Sequence, residues 1–168
     1  GTYRVNKRFF PLVEAAKGRI VNLSSETGWQ TAAPFNGPYA MSKHAIEAYS
    51  AALRRELALV DVKVITIQPG AFRTEMVAGI ERAFTAAEAE TPKLATVLRK
   101  LKGLATKEIE TARDPDILAQ EIETALTVKR PKPVYSVKPD KLRSTIEKLP
   151  LRAADGLYLA ILRRAHKG

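Results

Sequence analysis

The sequence predicts an α/β fold built on a parallel sheet, and three consecutive segments carry that prediction. Residues 19–25 (RIVNLSS) are a short apolar run after a Lys-Gly helix stop, which favours a buried strand. Residues 39–59 are rich in alanine and repeat apolar positions at helical spacing. Residues 62–68 (VKVITIQ) form a second apolar run, which ends at Pro-Gly. A strand, a long helix and another strand make a parallel β-α-β unit, which is expected to be right-handed.

The flanking segments extend this pattern in both directions. Pro11 is expected to kink the first helix or to remove one of its hydrogen bonds. In the last helix before the third strand, Asp114 is the expected cap and Pro115 occupies the first turn. In chain order, the remaining predicted elements are a helix over 2–16, two helical pieces within 75–113, a helix over 115–126, a third strand over 134–137 (VYSV) and a basic tail over 139–168.

Composition restricts the class of protein. The chain has 168 residues, of which 45% are hydrophobic and 27% charged, so we expect one globular domain over 1–168. It has no cysteine, which excludes disulfides and thiolate zinc sites, and its two histidines are too far apart to suggest a metal site. The sequence shows neither a signal peptide nor an apolar run of about 18 residues. A cytoplasmic location is the default expectation.

The formal net charge of +10 is concentrated near the end of the chain. Residues 129–168 hold eleven basic and three acidic side chains, interspersed with apolar ones. An anionic partner is one interpretation. We favour a solvated basic face, because no nucleic-acid motif accompanies the charge and the apolar pieces are short for stable binding at a membrane surface. We therefore expect neither a nucleic-acid partner nor membrane contact.

One stretch, VNLSSETGWQTAAPFNGPYAMSK, contains the candidate catalytic groups. Tyr39 and Lys43 are four residues apart, so they lie on the same face of the predicted helix. An ammonium close to a phenol favours the phenolate, which makes Tyr39 a candidate general acid and base. Ser25 lies at the end of the preceding strand and can hold a substrate oxygen in line with the phenol.

Three motifs in this order resemble the short-chain dehydrogenase/reductase family. They are Asn22-x-Ser24-Ser25-x-x-Gly28, then Tyr39-x-x-x-Lys43, and then Pro69-Gly70 with Thr74 beyond it. The resemblance implies a Rossmann-like, three-layer αβα fold and a catalytic set of Ser25, Tyr39 and Lys43. It also implies NAD or NADP as the cofactor, with binding residues Tyr39, Lys43, Pro69, Gly70, Phe72 and Thr74.

The resemblance further implies hydride transfer between the nicotinamide cofactor and an alcohol or carbonyl substrate. The form PGAFRT looks most like the retinol-, hydroxysteroid- and hydroxybutyrate-type members, which suggests a small lipophilic substrate. Residues 75–113 match the place of the family's substrate-binding insertion. Two alternatives stay open: a non-catalytic relative that acts as a binding or scaffold protein, and an epimerase or dehydratase of the same family.

The family's Gly-rich turn, which holds the cofactor pyrophosphate, has no counterpart in this sequence. Nor does Asn6 match the place of the family's additional catalytic Asn. We therefore expect the chain to be the C-terminal part of a longer enzyme, without the N-terminal dinucleotide-binding β-α-β units, and inactive alone. Its first strand would then expose an unpaired edge. The alanine-rich helix over 39–59 is the candidate interface of a homo-dimer or tetramer.

Overall fold

The structure is a computed structural model that describes residues 1–167, without the side chains of 77, 78, 108, 109 and 167. Gly168, which ends the predicted tail, and the side chain of Val77 in the predicted insertion lie outside the described part. The chain divides into two compact units. The first comprises residues 1–70 and 116–144, and the second comprises residues 71–115 and 145–168.

A parallel sheet of three strands forms the centre of the first unit. The strands are β1 (Arg19–Leu23), β2 (Lys63–Pro69) and β3 (Val134–Val137), with β2 in the middle. Thr66 of β2 lies opposite Asn22 of β1 and opposite Val134 of β3, so β3 pairs only with the carboxyl half of β2. The predicted parallel α/β fold with three strands is thus confirmed.

Seven α-helices are described along the chain. The predicted helix after Asp114 begins at Pro115, and the predicted pair of helices within 75–113 is present. In order, the helices are α1 (Thr2–Ala15), α2 (Gly37–Leu57), α3 (Met76–Glu90), α4 (Ala95–Glu110), α5 (Pro115–Thr127), α6 (Lys141–Ile146) and α7 (Leu151–Lys167). Short 3-10 turns cover Glu26–Gly28, Ala58–Val60 and Pro92–Leu94.

Helices α1 and α2 cover β1 and β2 in the first unit. The buried side chains of Ile20, Val62 and Val64 form a cluster. Val13 from α1 and two leucines from α2, Leu53 and Leu57, pack against it. This burial is the main local source of stability, since each large aliphatic side chain removed from water contributes about 1.5–3 kcal/mol.

Helix α1 ends just before the predicted Lys17-Gly18 stop, and it differs from the prediction in how little of it is buried. It runs without a break through Pro11 and ends at Ala15. The left-handed residue after it is Lys17, at φ 45°, whereas Gly18 of the predicted stop has no positive φ. Moreover, none of its residues is fully buried, and only Val13 of its apolar positions packs on the core cluster. Helical periodicity identified the helix but overestimated its buried face.

The apolar stripe predicted on α2 is also only partly buried. Ala45 and Ala52 are exposed, whereas the fully buried residues of this helix are Ala40 and Ser50. The exposed alanines leave the proposed subunit interface a prediction.

In the second unit, α3 packs against α4, and α4 also contacts α7. Val97 and Leu98 of α4 and Ala154 of α7 are buried. The predicted apolar piece at 157–165 is therefore the later part of a longer helix. No described helix combines the length and the apolar character that a membrane crossing requires.

Candidate active site

The turn that follows β1 contains the predicted catalytic serine. Ser24 and Ser25 are both buried, and the Ser24 N–H still donates to the Ile67 carbonyl at 2.8 Å. Ser25 has an extended backbone and caps the turn Glu26–Gly28, because its Oγ accepts a hydrogen bond from the Thr27 N–H at 3.2 Å. This bond uses an acceptor lone pair, so the Ser25 hydroxyl can still donate its own proton in a hydrogen bond.

Gly28 allows this turn to pack directly on α2. A Cβ atom at Gly28 would lie 2.6 Å from Ser24 Oγ and 3.0 Å from the Lys43 carbonyl oxygen, which is closer than side-chain carbons approach such atoms. Ser24 Oγ itself donates to the same Lys43 carbonyl at 3.3 Å. The serine and the glycine of the first motif therefore fasten the end of β1 to the helix that carries Lys43.

Tyr39 and Lys43 lie in the first two turns of α2, where Pro38 occupies the helix start as predicted. Lys43 Nζ lies 5.6 Å from the centroid of the Tyr39 ring and 3.5 Å from the Leu23 carbonyl oxygen. Both side chains are half-buried. Burial lowers the pKa of Lys43 below its ordinary value, because desolvation disfavours the ammonium.

The next predicted site residues, Pro69 and Gly70, lie at the end of β2. Pro69 is the last residue of β2, and the Gly70 N–H donates to the Val137 carbonyl at 2.9 Å. A Cβ at Gly70 would overlap the Lys138 carbonyl oxygen and lie 3.4 Å from Pro139 Cα. Gly70 is therefore needed for the close approach of the chain that leaves β3. Cofactor contact by Pro69 and Gly70 stays a prediction.

These groups lie near the carboxyl ends of the strands in the first unit. Ser25 follows the carboxyl end of β1, Gly70 follows that of β2, and Lys43 Nζ lies near the last carbonyl of β1. Ligands bind outside the carboxyl ends of the strands in open parallel sheets. Ser25, Lys43 and Gly70 thus lie where such a site is expected.

Phe72 and Thr74 belong to the second unit. Phe72 is buried and pairs with Arg113 in an isolated parallel bridge. The Arg113 N–H donates to the Ala71 carbonyl at 3.0 Å, and the Arg73 N–H donates to the Arg113 carbonyl at 2.9 Å. The Thr74 side chain is exposed. The predicted cofactor contacts of Phe72 and Thr74 stay predictions.

A polar cluster beside Ser25, which we call the Glu26 cluster, was not predicted from the sequence. It consists of the buried Glu26 and Gln30 and the partly buried Asp140 and Ser144. The Glu26 carboxylate accepts hydrogen bonds from the Asp140 N–H at 2.6 Å and from Gln30 Nε2 at 3.3 Å. Gln30 Nε2 also lies 3.3 Å from Ser144 Oγ, to which it donates. Glu26 is only 4% exposed. A glutamate in a turn after a strand gives no periodic signal that separates it from a solvated one.

A second missed group surrounds the Asn of the first motif. Asn22 is 3% exposed; its Oδ1 accepts from Asn6 Nδ2 at 2.9 Å, and its Nδ2 donates to Ser50 Oγ at 2.9 Å. These bonds join α1, β1 and α2. The available signal was an amide inside an otherwise apolar strand, because buried polar groups require partners.

Comparisons with known proteins converge on one family. The family model described as "short chain dehydrogenase" matches residues 1–84. The chain is 40% identical over 102 residues to a Bos taurus protein named "D-beta-hydroxybutyrate dehydrogenase, mitochondrial", covering 60% of this chain and 29% of the relative. It is 38% identical over 110 residues to "Retinol dehydrogenase 7" of Rattus norvegicus, covering 66% of this chain and 30% of the relative.

A solved structure agrees at the level of fold. A short-chain dehydrogenase from Streptomyces avermitilis aligns with a TM-score of 0.61 and 21% identity, covering 99% of this chain and 56% of that chain. The likeness shows a Rossmann-like fold, as predicted. The matched region spans less than a third of the length of the two relatives above.

Proposed function

Because the chain belongs to the short-chain dehydrogenase family, we propose that it carries the catalytic groups of an NAD- or NADP-dependent oxidoreductase that interconverts an alcohol and a carbonyl. The observation that carries the proposal is the placement of Lys43 Nζ 5.6 Å from the Tyr39 ring centroid and 3.5 Å from the last carbonyl of β1. It supports the proposal because the ammonium, the phenol and the Ser25 turn belong to connected elements near the carboxyl ends of the strands, where open parallel sheets bind ligands.

In the direction of alcohol oxidation, the substrate hydroxyl gives its proton to Tyr39 Oη. Lys43 lies beside Tyr39 on the same helix, with its Nζ 5.6 Å from the ring centroid, and the Ser25 hydroxyl donates a hydrogen bond to the substrate oxygen. NAD or NADP, when bound, supplies the nicotinamide ring that takes up the hydride lost from the substrate carbon. Reduction of a carbonyl uses the same groups in reverse, with Tyr39 as the acid.

The residues of this chain fit one end of the cofactor. The half-buried Lys43 ammonium is a donor at the carboxyl edge, suited to a sugar hydroxyl. We assign Pro69, Phe72 and Thr74 to the nicotinamide end by resemblance to the family. A Gly-rich turn suited to the pyrophosphate is absent from this sequence. NAD titration of the 168-residue chain, followed by calorimetry, tests this: binding tighter than about 1 μM, or −8.2 kcal/mol, would contradict it.

We propose a small, lipophilic alcohol or carbonyl as the substrate. The relatives' names specify hydroxybutyrate and retinol, and both are alcohols. Within the second unit, α3 and α4 expose Met76 and Leu104, apolar side chains that suit a lipophilic ligand. A panel of 3-hydroxybutyrate, retinol and a 17β-hydroxysteroid, each assayed with NAD and with NADP in the complete protein, tests the class. Turnover of none of them would contradict it.

The role of Tyr39 is tested by Tyr39→Phe in the complete protein. General acid–base catalysis contributes roughly 100-fold or more, so we expect kcat with the best substrate of the panel to fall by at least that factor. Tyr49→Phe is the matched control, since Tyr49 lies on the same helix about 15 Å further along. A Tyr39→Phe enzyme that stays within about threefold of the unmodified enzyme would show that Tyr39 is not the acid/base.

A further inference from the structure

The Glu26 carboxylate joins the Ser25 turn to the chain that leaves β3. It is almost fully buried, at 4% exposure, and accepts the Asp140 N–H at 2.6 Å. Since Glu26 directly follows Ser25, the bond acts on the residue next to the candidate catalytic hydroxyl.

Asp140 is itself held in place by local bonds. Its Oδ1 accepts from the Arg143 N–H at 2.8 Å, and its carbonyl accepts from Ser144 Oγ at 2.6 Å. Gln30 Nε2 bridges Glu26 to the same Ser144 side chain. The partner of Glu26 is therefore the hydrogen-bonded start of α6.

The other side of the Ser25 turn is fixed to α2. Ser24 Oγ donates to the Lys43 carbonyl at 3.3 Å, and Gly28 leaves no room for a side chain against that carbonyl. Ser25 thus lies between two attachments, one to the helix of Tyr39 and Lys43 and one to Asp140. Removing either attachment lets the turn move relative to the phenol.

We propose that Glu26 is a positioning residue for the reaction, which acts through the Ser25 turn by binding the Asp140 N–H. The inference rests on the proposed function, because it assigns Ser25 the task of holding the substrate oxygen. Glu26 touches no reacting atom in this scheme. It fixes the direction of the Ser25 hydroxyl.

Two substitutions separate the parts of this role. Glu26→Ala removes the acceptor and leaves the Asp140 N–H without its partner. We expect kcat to fall about tenfold to a hundredfold, the loss that follows when a catalytic group is misplaced by about 1 Å. Glu26→Gln keeps a carbonyl oxygen that can accept the Asp140 N–H, so its kcat should stay within about threefold, as expected when the acceptor geometry is retained.

Tyr135→Phe serves as the matched control. The Tyr135 hydroxyl accepts the Lys132 N–H at 3.2 Å, and Tyr135 is also buried. Loss of this hydroxyl removes the acceptor of a backbone N–H at the amino end of β3, away from Asp140. It should lower the melting temperature without changing kcat.

The experiment measures kcat, KM, melting temperature and amide hydrogen exchange at Thr27 and Asp140 in the complete protein and its three variants. A lower kcat and faster exchange at both amides in Glu26→Ala, with kcat restored in Glu26→Gln, support the proposal. A Glu26→Ala enzyme with unchanged kcat and a lowered melting temperature, as in Tyr135→Phe, overturns it. So does a Glu26→Gln enzyme as slow as Glu26→Ala.

Failure of the proposed function gives a different result. If the unmodified protein turns over no substrate of the panel, the oxidoreductase assignment loses its support while the exchange measurement still judges Glu26. Faster exchange at Thr27 and Asp140 in Glu26→Ala then supports the attachment. Unchanged exchange at these amides overturns it.

Discussion

The substitution Gly70→Ala tests how closely the exits of β2 and β3 approach each other. The added Cβ would overlap the Lys138 carbonyl oxygen and lie 3.0 Å from the Lys138 carbonyl carbon. Both atoms are backbone, and Pro139 follows them, so no side-chain rotation relieves the clash. The chain after β3 has to move, and the bond from the Gly70 N–H to the Val137 carbonyl at 2.9 Å is lost or weakened.

The expected loss of stability follows from two terms. Overpacking costs about 1–3 kcal/mol, and loss of one backbone hydrogen bond costs about 0.5–1.5 kcal/mol. Together they amount to roughly 2–4 kcal/mol. For a chain of this length the loss corresponds to a fall in melting temperature of about 5–15 °C.

Thermal unfolding followed by circular dichroism measures this effect. Gly37→Ala is the control, because a Cβ at Gly37, in the first turn of α2, would meet no atom within 4 Å. Alanine is a better helix former than glycine, so Gly37→Ala should be neutral or slightly stabilising. Equal melting temperatures for the two variants would refute the claim that Gly70 is fixed by the close approach of Lys138.

Two further predictions concern Arg19 and Lys43. Arg19→Ala should lower the free energy of unfolding by about 2–4 kcal/mol in urea titrations, because the Arg19 guanidinium donates to the Ala125 and Val128 carbonyls at 2.7 Å each. Arg19→Lys should recover only part of this free energy, since an ammonium lacks the planar fork of the guanidinium. An Arg19→Ala chain with an unchanged free energy of unfolding would contradict this. The pKa of Lys43 is lower in the folded state than in the unfolded state, so at a pH between the two values the unfolded state binds more protons. Burial of the Lys43 ammonium therefore destabilises the fold most below this pH window. The destabilisation disappears as the pH rises through the window. Lys43→Met should therefore be most stabilising, relative to the unmodified chain, near neutral pH, and a difference that grows towards high pH would contradict the desolvation argument.

The α/β fold and its parallel strands could be predicted from the sequence because each strand gives a strong local signal. β2 is a run of apolar residues that ends at Pro69-Gly70, and the structure buries Val64 through Gln68 without interruption. The helix that carries Tyr39 and Lys43 was predicted from its spacing and from Pro38. Spacing also predicts that Tyr39 and Lys43 share one face, and the structure places them together.

What the sequence could not predict depends on contacts between distant residues. Glu26 and Asp140 are 114 positions apart, and neither belongs to a periodic pattern. The left-handed residue after α1 is Lys17, and Gly18 has no positive φ. A Cβ at Gly18 would instead make a tight contact, 3.3 Å from the Val13 carbonyl oxygen. Glycine in a sequence indicates a constraint but does not say whether the constraint is torsional or steric.

The short pairing of β3 has a consequence for how this sheet meets other chains. β3 covers β2 only from Thr66 onward, and along the preceding three residues the adjoining chain is Arg130 to Pro133. Pro131 and Pro133 have no N–H to donate. Lys63 Nζ donates to the Lys129 carbonyl at 3.2 Å, and Lys132 Nζ lies 5.9 Å from the centroid of the Tyr135 ring. A foreign strand that extended the sheet there would meet proline residues in place of a full ladder of N–H donors. We therefore expect the residues that precede β3 to hinder self-association through this half of β2.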